Sequence, residues 1–207
     1  MTWALVLGGI VAATIGWSLV REGRSIWYVM PPLYGALGII AIARGELESV
    51  VNGGMADLLL GLAAGAGLFL ATRLAVVLLR HWPAFERDAA QQYASGDALS
   101  KPTVLALSLV VLGGEELFWR GWLQGSAAQA DIGSVAATAL VAWIGYVAAN
   151  LASGNRVIWA GAAVGGAVWG ALAALTGGVL APLASHAAWT VSMILLPPAL
   201  ARGKMQP

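Results

Sequence analysis

Two adjacent acids, Glu115 and Glu116, lie inside an apolar run that covers residues 102–123. Arg120 follows Glu116 by four residues. A charged side chain at membrane depth costs about 2.5–3.5 kcal/mol on insertion scales, so it is kept where it is paired, wetted or used. The four-residue spacing places Glu116 beside Arg120 on a helix, while Glu115 points about 100° away around the axis. We therefore predict that Glu116 is neutralised by Arg120 and that Glu115 is left for chemistry.

Three further polar side chains in apolar segments are candidates to face these acids: Asn150, His186 and Thr190. His186 and Thr190 are again four residues apart, so they share one helix face. An imidazole that faces an unpaired carboxylate inside a bundle favours a functional site over a packing role. Two alternatives stay open: Glu115, Glu116 and Arg120 form a structural polar knot, and His186 is a packing residue that bonds a backbone carbonyl.

Composition predicts the surroundings of these residues. The chain has 207 residues, of which 59% are apolar and 10% charged, and its mean hydropathy is +0.80. Soluble domains carry about 25% charged residues. Because runs of 18 or more apolar residues recur, we predict an all-α, polytopic bundle of transmembrane helices in a lipid bilayer, with residues 1–207 forming one integral membrane domain.

The composition also excludes several functions. The net charge of +1 gives no argument for a nucleic-acid partner. The absence of Cys excludes disulfides, a thiolate nucleophile and any Cys-based metal site.

Apolar runs separated by polar turns predict about seven spans. We place them at residues 3–20, 26–43, 55–79, 102–124, 132–153, 157–175 and 179–196. The first run lacks a basic leading region, so we interpret it as a retained span and not as a signal peptide. Arg73 lies near enough to the end of its span to reach the interface. Pro83 predicts the start of a short interfacial helix, which presents Phe85, Ala89, Ala90 and Tyr93 at helical spacing.

Basic residues divide unevenly between the two sides of these spans. One side has Arg21, Arg24, Arg80, Arg87, Lys101, Arg156, Arg202 and Lys204, whereas the other has Arg44 and Arg120. This distribution favours an N-out, C-in orientation, and we expect the location to be a bacterial inner membrane.

Glycines are frequent, with 27 in the chain. Three pairs have the spacing that allows helices to approach closely. They are Gly61/Gly65, Gly161/Gly165 and Gly166/Gly170. We interpret them as helix-packing positions.

The polar residues also resemble the motifs of a known family. Glu115-Glu116-x-x-x-Arg120 is similar to the first motif of the CPBP family, the CAAX proteases and bacteriocin-processing enzymes, also called the Abi family. The segment TGGVLAP at residues 176–182, ahead of His186, resembles the segment before that family's third motif. The second and third motifs of the family read Phe-x-x-x-His and His-x-x-x-Asn. This chain has Tyr146-x-x-x-Asn150 and His186-x-x-x-Thr190 instead, and the resemblance defines a catalytic core at residues 104–195.

The resemblance implies an intramembrane endopeptidase. The best-known members remove the last three residues of prenylated CAAX proteins, so the partner implied is a peptide or a membrane-protein substrate. Glu115 would activate water as the general base, with Glu116 and Arg120 shaping and charging the site. His186 would stabilise the oxyanion or bind a metal. Peptide hydrolysis needs such a base and donors aimed at the tetrahedral oxygen.

Asn150 stands where the family has its second His. A catalytic zinc usually takes three protein ligands, whereas here Glu115 and His186 are the two side chains that would hold one. A metal-free mechanism remains compatible with the substitution, because Asn150 would donate a hydrogen bond to an oxyanion.

Two other functions stay open. One is a catalytically inactive subunit or assembly factor of a membrane protein complex. The other is a small transporter or proton relay through Glu115 and His186, which predicts repeated halves that the sequence lacks.

Overall fold

The chain folds entirely into helices over the residues that can be described. The computed structural model describes residues 2–44, 53–96, 99–125 and 134–198, and no strand is present among them. The helices are α1 (Thr2–Arg21), α2 (Ile26–Arg44), α3 (Met55–Leu79), α4 (Pro83–Ala94), α5 (Lys101–Glu115), α6 (Val135–Leu151), α7 (Arg156–Thr176) and α8 (Leu180–Leu195). A π-helical segment, Glu116–Gln124, continues α5 directly. The all-α prediction is confirmed.

Four helices of the described chain are long and apolar enough to cross a membrane: α2, α3, α5 with its π-helical continuation, and α7. Three shorter apolar helical stretches match the other predicted spans: Val6–Arg21 within α1, Val135–Leu151 (α6) and Leu180–Leu195 (α8). A helix of 16 residues is about 24 Å long, which is less than a bilayer core of about 30 Å. The structure thus supports a multi-pass membrane protein, and seven spans remain a prediction.

Two predictions fall partly on residues that the structure leaves undescribed. Residues 132 and 133, at the start of the fifth predicted span, lie outside the described chain. So do Arg202 and Lys204, which entered the count of basic residues. The N-out, C-in orientation therefore stays a prediction.

The helix ends follow local sequence chemistry. The side chains of Ser100, Ser134 and Asn155 accept hydrogen bonds from the first-turn N–H groups of α5, α6 and α7. Pro83 begins α4, as predicted. Gly177 ends α7 with a φ of +70°, a left-handed conformation in which glycine carries no steric cost.

Close helix packing at glycines sets the depth of α8 in the bundle. A Cβ on Gly61 would overlap the carbonyl oxygen of Ala181, and one on Gly65 would overlap that of Ser185. Helix α3 therefore lies directly against the first half of α8. The packing interpretation of the Gly61/Gly65 pair is confirmed, and the contact fixes the turn of α8 that ends at His186.

A second close contact brings α2 against the end of α5. A Cβ on Gly114 would overlap the carbonyl oxygen of Tyr34, and one on Gly38 would lie 2.9 Å from the Cα of Gly114. The backbone just before the acidic pair is thus pressed against α2. This contact brings the Tyr34 side chain to the level of the acids.

The centre of the bundle is aromatic. Phe118 and Trp119 pack edge to face with ring centroids 5.0 Å apart, Trp119 meets Tyr146 at 5.9 Å, and Tyr146 meets Trp169 at 6.4 Å. Such edge-to-face pairs contribute about 0.5–1.5 kcal/mol each beyond buried area. The rings join the π-helical segment, α6 and α7 around the polar residues.

Candidate active site

The charged residues singled out in the sequence are buried in the interior of the bundle. The exposed fraction is 7% for Glu115, 0% for Glu116, 3% for Arg120 and 5% for His186. Burying a charge without a partner is strongly unfavourable. The hydrogen bonds of these four side chains therefore determine what the site can do.

Glu116 is held by two partners. Its Oε1 lies 3.4 Å from Nη1 of Arg120 in an ion pair and 2.8 Å from Nδ1 of His186. Because a carboxylate can only accept, the ring nitrogen facing it carries the hydrogen and donates. Glu116 thereby fixes the orientation of the imidazole and leaves Nε2 on the far side of the ring.

Glu115 has a different partner. Its Oε2 accepts a hydrogen bond of 3.2 Å from the hydroxyl of Tyr146. The hydroxyl of Tyr34 is buried near the same carboxylate but makes no well-formed hydrogen bond to it. Glu115 has no ion pair among the described residues. We expected a free carboxylate, and the structure adds one neutral donor, the hydroxyl of Tyr146.

The π-helical segment is braced against α7 by two bonds one turn apart. Arg120 Nη2 donates to the carbonyl of Gly166 at 3.1 Å, and Gln124 Nε2 donates to that of Gly170 at 3.0 Å. π-helical turns are rare and occur frequently at functional sites. The segment delivers Arg120 to Glu116 and to α7 at once. The carbonyls of Gly166 and Gly170 thus serve as hydrogen-bond acceptors, and Gly166 is also closely packed, since a Cβ there would lie 2.9 Å from Cδ1 of Tyr146.

His186 and Arg120 both lie against aromatic faces. The imidazole stacks on Trp169 with centroids 3.6 Å apart and an interplanar angle of 14°. The guanidinium carbon of Arg120 lies 4.4 Å from the Tyr146 ring centroid and 5.6 Å from that of Trp169. These contacts hold both planar groups by their faces. The edges that donate hydrogen bonds therefore keep a fixed direction.

Two of the predicted site residues do not bond to the acids. Nδ2 of Asn150 donates to the carbonyl of Tyr146 in its own helix at 2.9 Å. Thr190 is half-buried, and within the described chain no hydrogen bond of its side chain is found. Glu115, Glu116, Arg120 and His186 are the predicted residues that the structure brings together.

Other members of the site escaped the sequence-based prediction. Trp169, Tyr34, Gly166 and Gln124 look like ordinary packing or capping residues in the sequence. Tyr146 drew notice only as the first residue of an altered motif. The available signal was its hydroxyl, since the family has Phe at this position.

The donor set does not fit a zinc ion. Among the residues described, no group of three or more His, Cys, Asp or Glu side chains is arranged to hold a metal. One nitrogen of His186 is already bonded to Glu116, whereas catalytic zinc usually needs three protein ligands. No step below passes through a metal.

A comparison with protein-family models finds a match, which covers part of the chain. Residues 98–192 match the model described as Rce1-like, type II CAAX prenyl endopeptidase. This segment is Rce1-like. The Rce1-like match confirms the family resemblance and supports a CAAX-protease-like intramembrane peptidase with a membrane-associated peptide substrate. The matched segment contains the whole site except Tyr34. Comparisons with curated proteins and with solved structures returned no significant match.

Proposed function

We propose that this protein is an intramembrane endopeptidase that hydrolyses a peptide bond of a membrane-associated substrate, with Glu115 as the general base. The catalytic core is residues 104–195, within one membrane domain formed by residues 1–207. The carrying observation is the unequal bonding of the two acids. Glu116 is fully buried between Arg120 and His186, whereas Glu115 is 7% exposed and bonded only to a phenol.

Charge balance supports this division of roles. Two carboxylates and one guanidinium sum to a net charge of −1, which is costly in an apolar bundle. One additional proton makes the cluster neutral, and it is held by either His186 or Glu115. The arrangement with the proton on His186 leaves Glu115 as an ionised base. It also gives Nε2 of His186 a hydrogen to donate.

The reaction then needs no other charged group. Glu115 takes a proton from water as the water oxygen bonds to the scissile carbonyl carbon, and the carbonyl electron pair moves to its oxygen. The Nε2 hydrogen of His186 stabilises that oxyanion, while Glu116, itself paired with Arg120, keeps the imidazole aligned. Glu115 returns the proton to the leaving nitrogen as the C–N bond breaks.

Cleavage by the purified protein tests this function. We expect the protein in detergent to release the C-terminal tripeptide of a prenylated CAAX peptide, measured by mass spectrometry. Glu115→Gln should reduce the rate by at least about 100-fold, in the range that general-base catalysis contributes. Tyr28→Phe is the control for the preparation, because it removes an exposed hydroxyl outside the site. Equal cleavage by wild type and Glu115→Gln would overturn the proposal.

One observation favours the alternative of a catalytically inactive subunit or assembly factor of a membrane protein complex. Asn150, at the position of the family's second His, is bonded to its own helix. In that case no peptide is cleaved, the protein co-purifies stably with a larger complex, and Glu115→Gln leaves that association unchanged. Loss of the complex in Glu115→Gln would count against a scaffold that uses only packing.

A further inference from the structure

Tyr146 lies between the two halves of the charged cluster. Its hydroxyl donates to Glu115 at 3.2 Å, while its ring faces the Arg120 guanidinium at 4.4 Å. The side chain is 4% exposed. Its hydroxyl therefore contacts the proposed base, Glu115, and its ring face contacts Arg120, the ion-pair partner of Glu116.

The position of this ring is tightly determined by its neighbours. Trp119 and Trp169 contact it edge to face at 5.9 and 6.4 Å. A Cβ on Gly166 would lie 2.9 Å from Cδ1 of Tyr146, so the ring occupies space that only glycine leaves open. The fixed ring therefore fixes the position of the hydroxyl oxygen, 3.2 Å from Oε2 of Glu115.

Asn150 lies one helical turn beyond Tyr146. Its amide donates to the Tyr146 backbone carbonyl at 2.9 Å, a bond within α6 that leaves the amide nitrogen turned along the helix. The residue at the place of the family's second His is therefore hydrogen-bonded to its own helix and not to Glu115 or Glu116. The hydroxyl that does contact an acid is absent from the family's Phe.

We propose that Tyr146 is the positioning residue of Glu115. A carboxylate without an ion pair can rotate about its last side-chain bonds. The hydroxyl holds Oε2, so Oε1 keeps one direction for the water. Asn150 has no part in this task.

The hydrogen bond itself is tested without any substrate. Thermal unfolding in detergent is compared for wild type, Tyr146→Phe, Glu115→Met and the double variant. We expect the second substitution to shift the midpoint by less than half as much when the first is already present, because the bond can be lost only once. Tyr28→Phe, which removes an exposed hydroxyl, should give additive shifts with Glu115→Met. Additive shifts for Tyr146→Phe would overturn the proposal.

If Glu115→Met does not fold, Glu115→Gln replaces it in the same comparison, since a neutral amide accepts the phenol bond more weakly than a carboxylate. We then expect a coupling between Tyr146→Phe and Glu115→Gln that is smaller than complete loss of the bond would give, but not zero. No coupling at all again contradicts the bond.

A kinetic comparison tests the positioning role and rests on the proposed function. We expect Tyr146→Phe to lower kcat by about tenfold, the equivalent of one lost hydrogen bond, with KM changed less than about twofold. Asn150→Ala should lower kcat less than Tyr146→Phe does. The reverse order would assign the role to Asn150 and overturn the inference. If wild type cleaves nothing, the proposed function fails, whereas the unfolding comparison still decides the bond.

Discussion

Helix α3 and the crossing formed by α5 with its π-helical continuation are similar in length, with 25 and 24 residues. Their surroundings are different. Of the residues in the most apolar stretch of α3, 17% are buried inside the protein. The corresponding fraction for the α5 crossing is 39%. Helix α3 is therefore an outer wall that touches α8 through a glycine seam, whereas the α5 crossing is enclosed by its neighbours.

Each of these helices carries one arginine, and the two are stabilised in different ways. Arg73 reaches the end of α8, where Nη1 donates to the carbonyls of Leu196 at 3.0 Å and Pro197 at 3.3 Å. Arg120 stays in the interior, where it pairs with Glu116 and lies against aromatic rings. The outer helix α3 thus places its arginine at a helix end, whereas the α5 crossing holds its arginine in an interior ion pair.

Arg120→Ala should have the largest effect on stability. It removes the guanidinium that pairs with the fully buried Glu116, and breaking a buried ion pair from one side costs about 3–5 kcal/mol. The apparent thermal midpoint in detergent, followed by loss of the monodisperse chromatographic peak, measures this. Arg73→Ala is the matched control, because its partners are carbonyls at the exposed end of a helix. Similar losses for the two variants would mean that the enclosed and outer helices do not differ in this way.

Gly65→Ala should have the next largest effect, and it tests the seam of the outer helix. The added Cβ would overlap the carbonyl of Ser185, and overpacking of this kind typically costs about 1–3 kcal/mol. Gly67, two residues on, has open space where a Cβ would stand. Gly67→Ala should therefore raise the midpoint slightly, since alanine is the better helix former. If both variants raise it, α3 does not press on α8 through this glycine.

Parts of the fold were predictable because they depend on local sequence. Apolar runs and short caps placed α3 at 55–79 and the start of α4 at Pro83, because hydrophobic length and proline geometry act within a few residues. The Gly61/Gly65 seam followed from spacing alone. These features need no knowledge of which helix lies beside which.

The site was less predictable because its bonds join distant segments. Spacing indicated that Glu116 lies beside Arg120, but the bond from His186 to Glu116 links residues 70 apart. The hydroxyl of Tyr146 reaches Glu115 across 31 positions. The π-helical turns from Glu116 to Gln124 were not predicted, because the spacing of apolar residues does not distinguish them from α-helical turns. Sequence therefore identified the charged residues and the local pair of Glu116 with Arg120, and it left the bonds from His186 and Tyr146 open.

The smallest effect is expected at the end of the bundle, where a third arginine completes the comparison. Arg156 pairs with Asp88 of α4 at 3.1 Å, with its side chain 44% exposed. Solvent screens such a pair, so Arg156→Ala should cost no more than about 1 kcal/mol, and less at high salt. Asp88 also accepts a hydrogen bond from the backbone N–H of Arg156 at 3.0 Å, which survives this change.

Asp88→Ala should accordingly cost more than Arg156→Ala, because it also removes the carboxylate at the N-terminus of α7. Thermal midpoints at low and high salt separate the two contributions. The part due to the ion pair falls as salt is added, whereas the part due to the backbone hydrogen bond persists. A midpoint loss for Arg156→Ala as large as that for Arg120→Ala would show that exposure does not set the strength of these pairs, and the contrast between interior and surface arginines would fail.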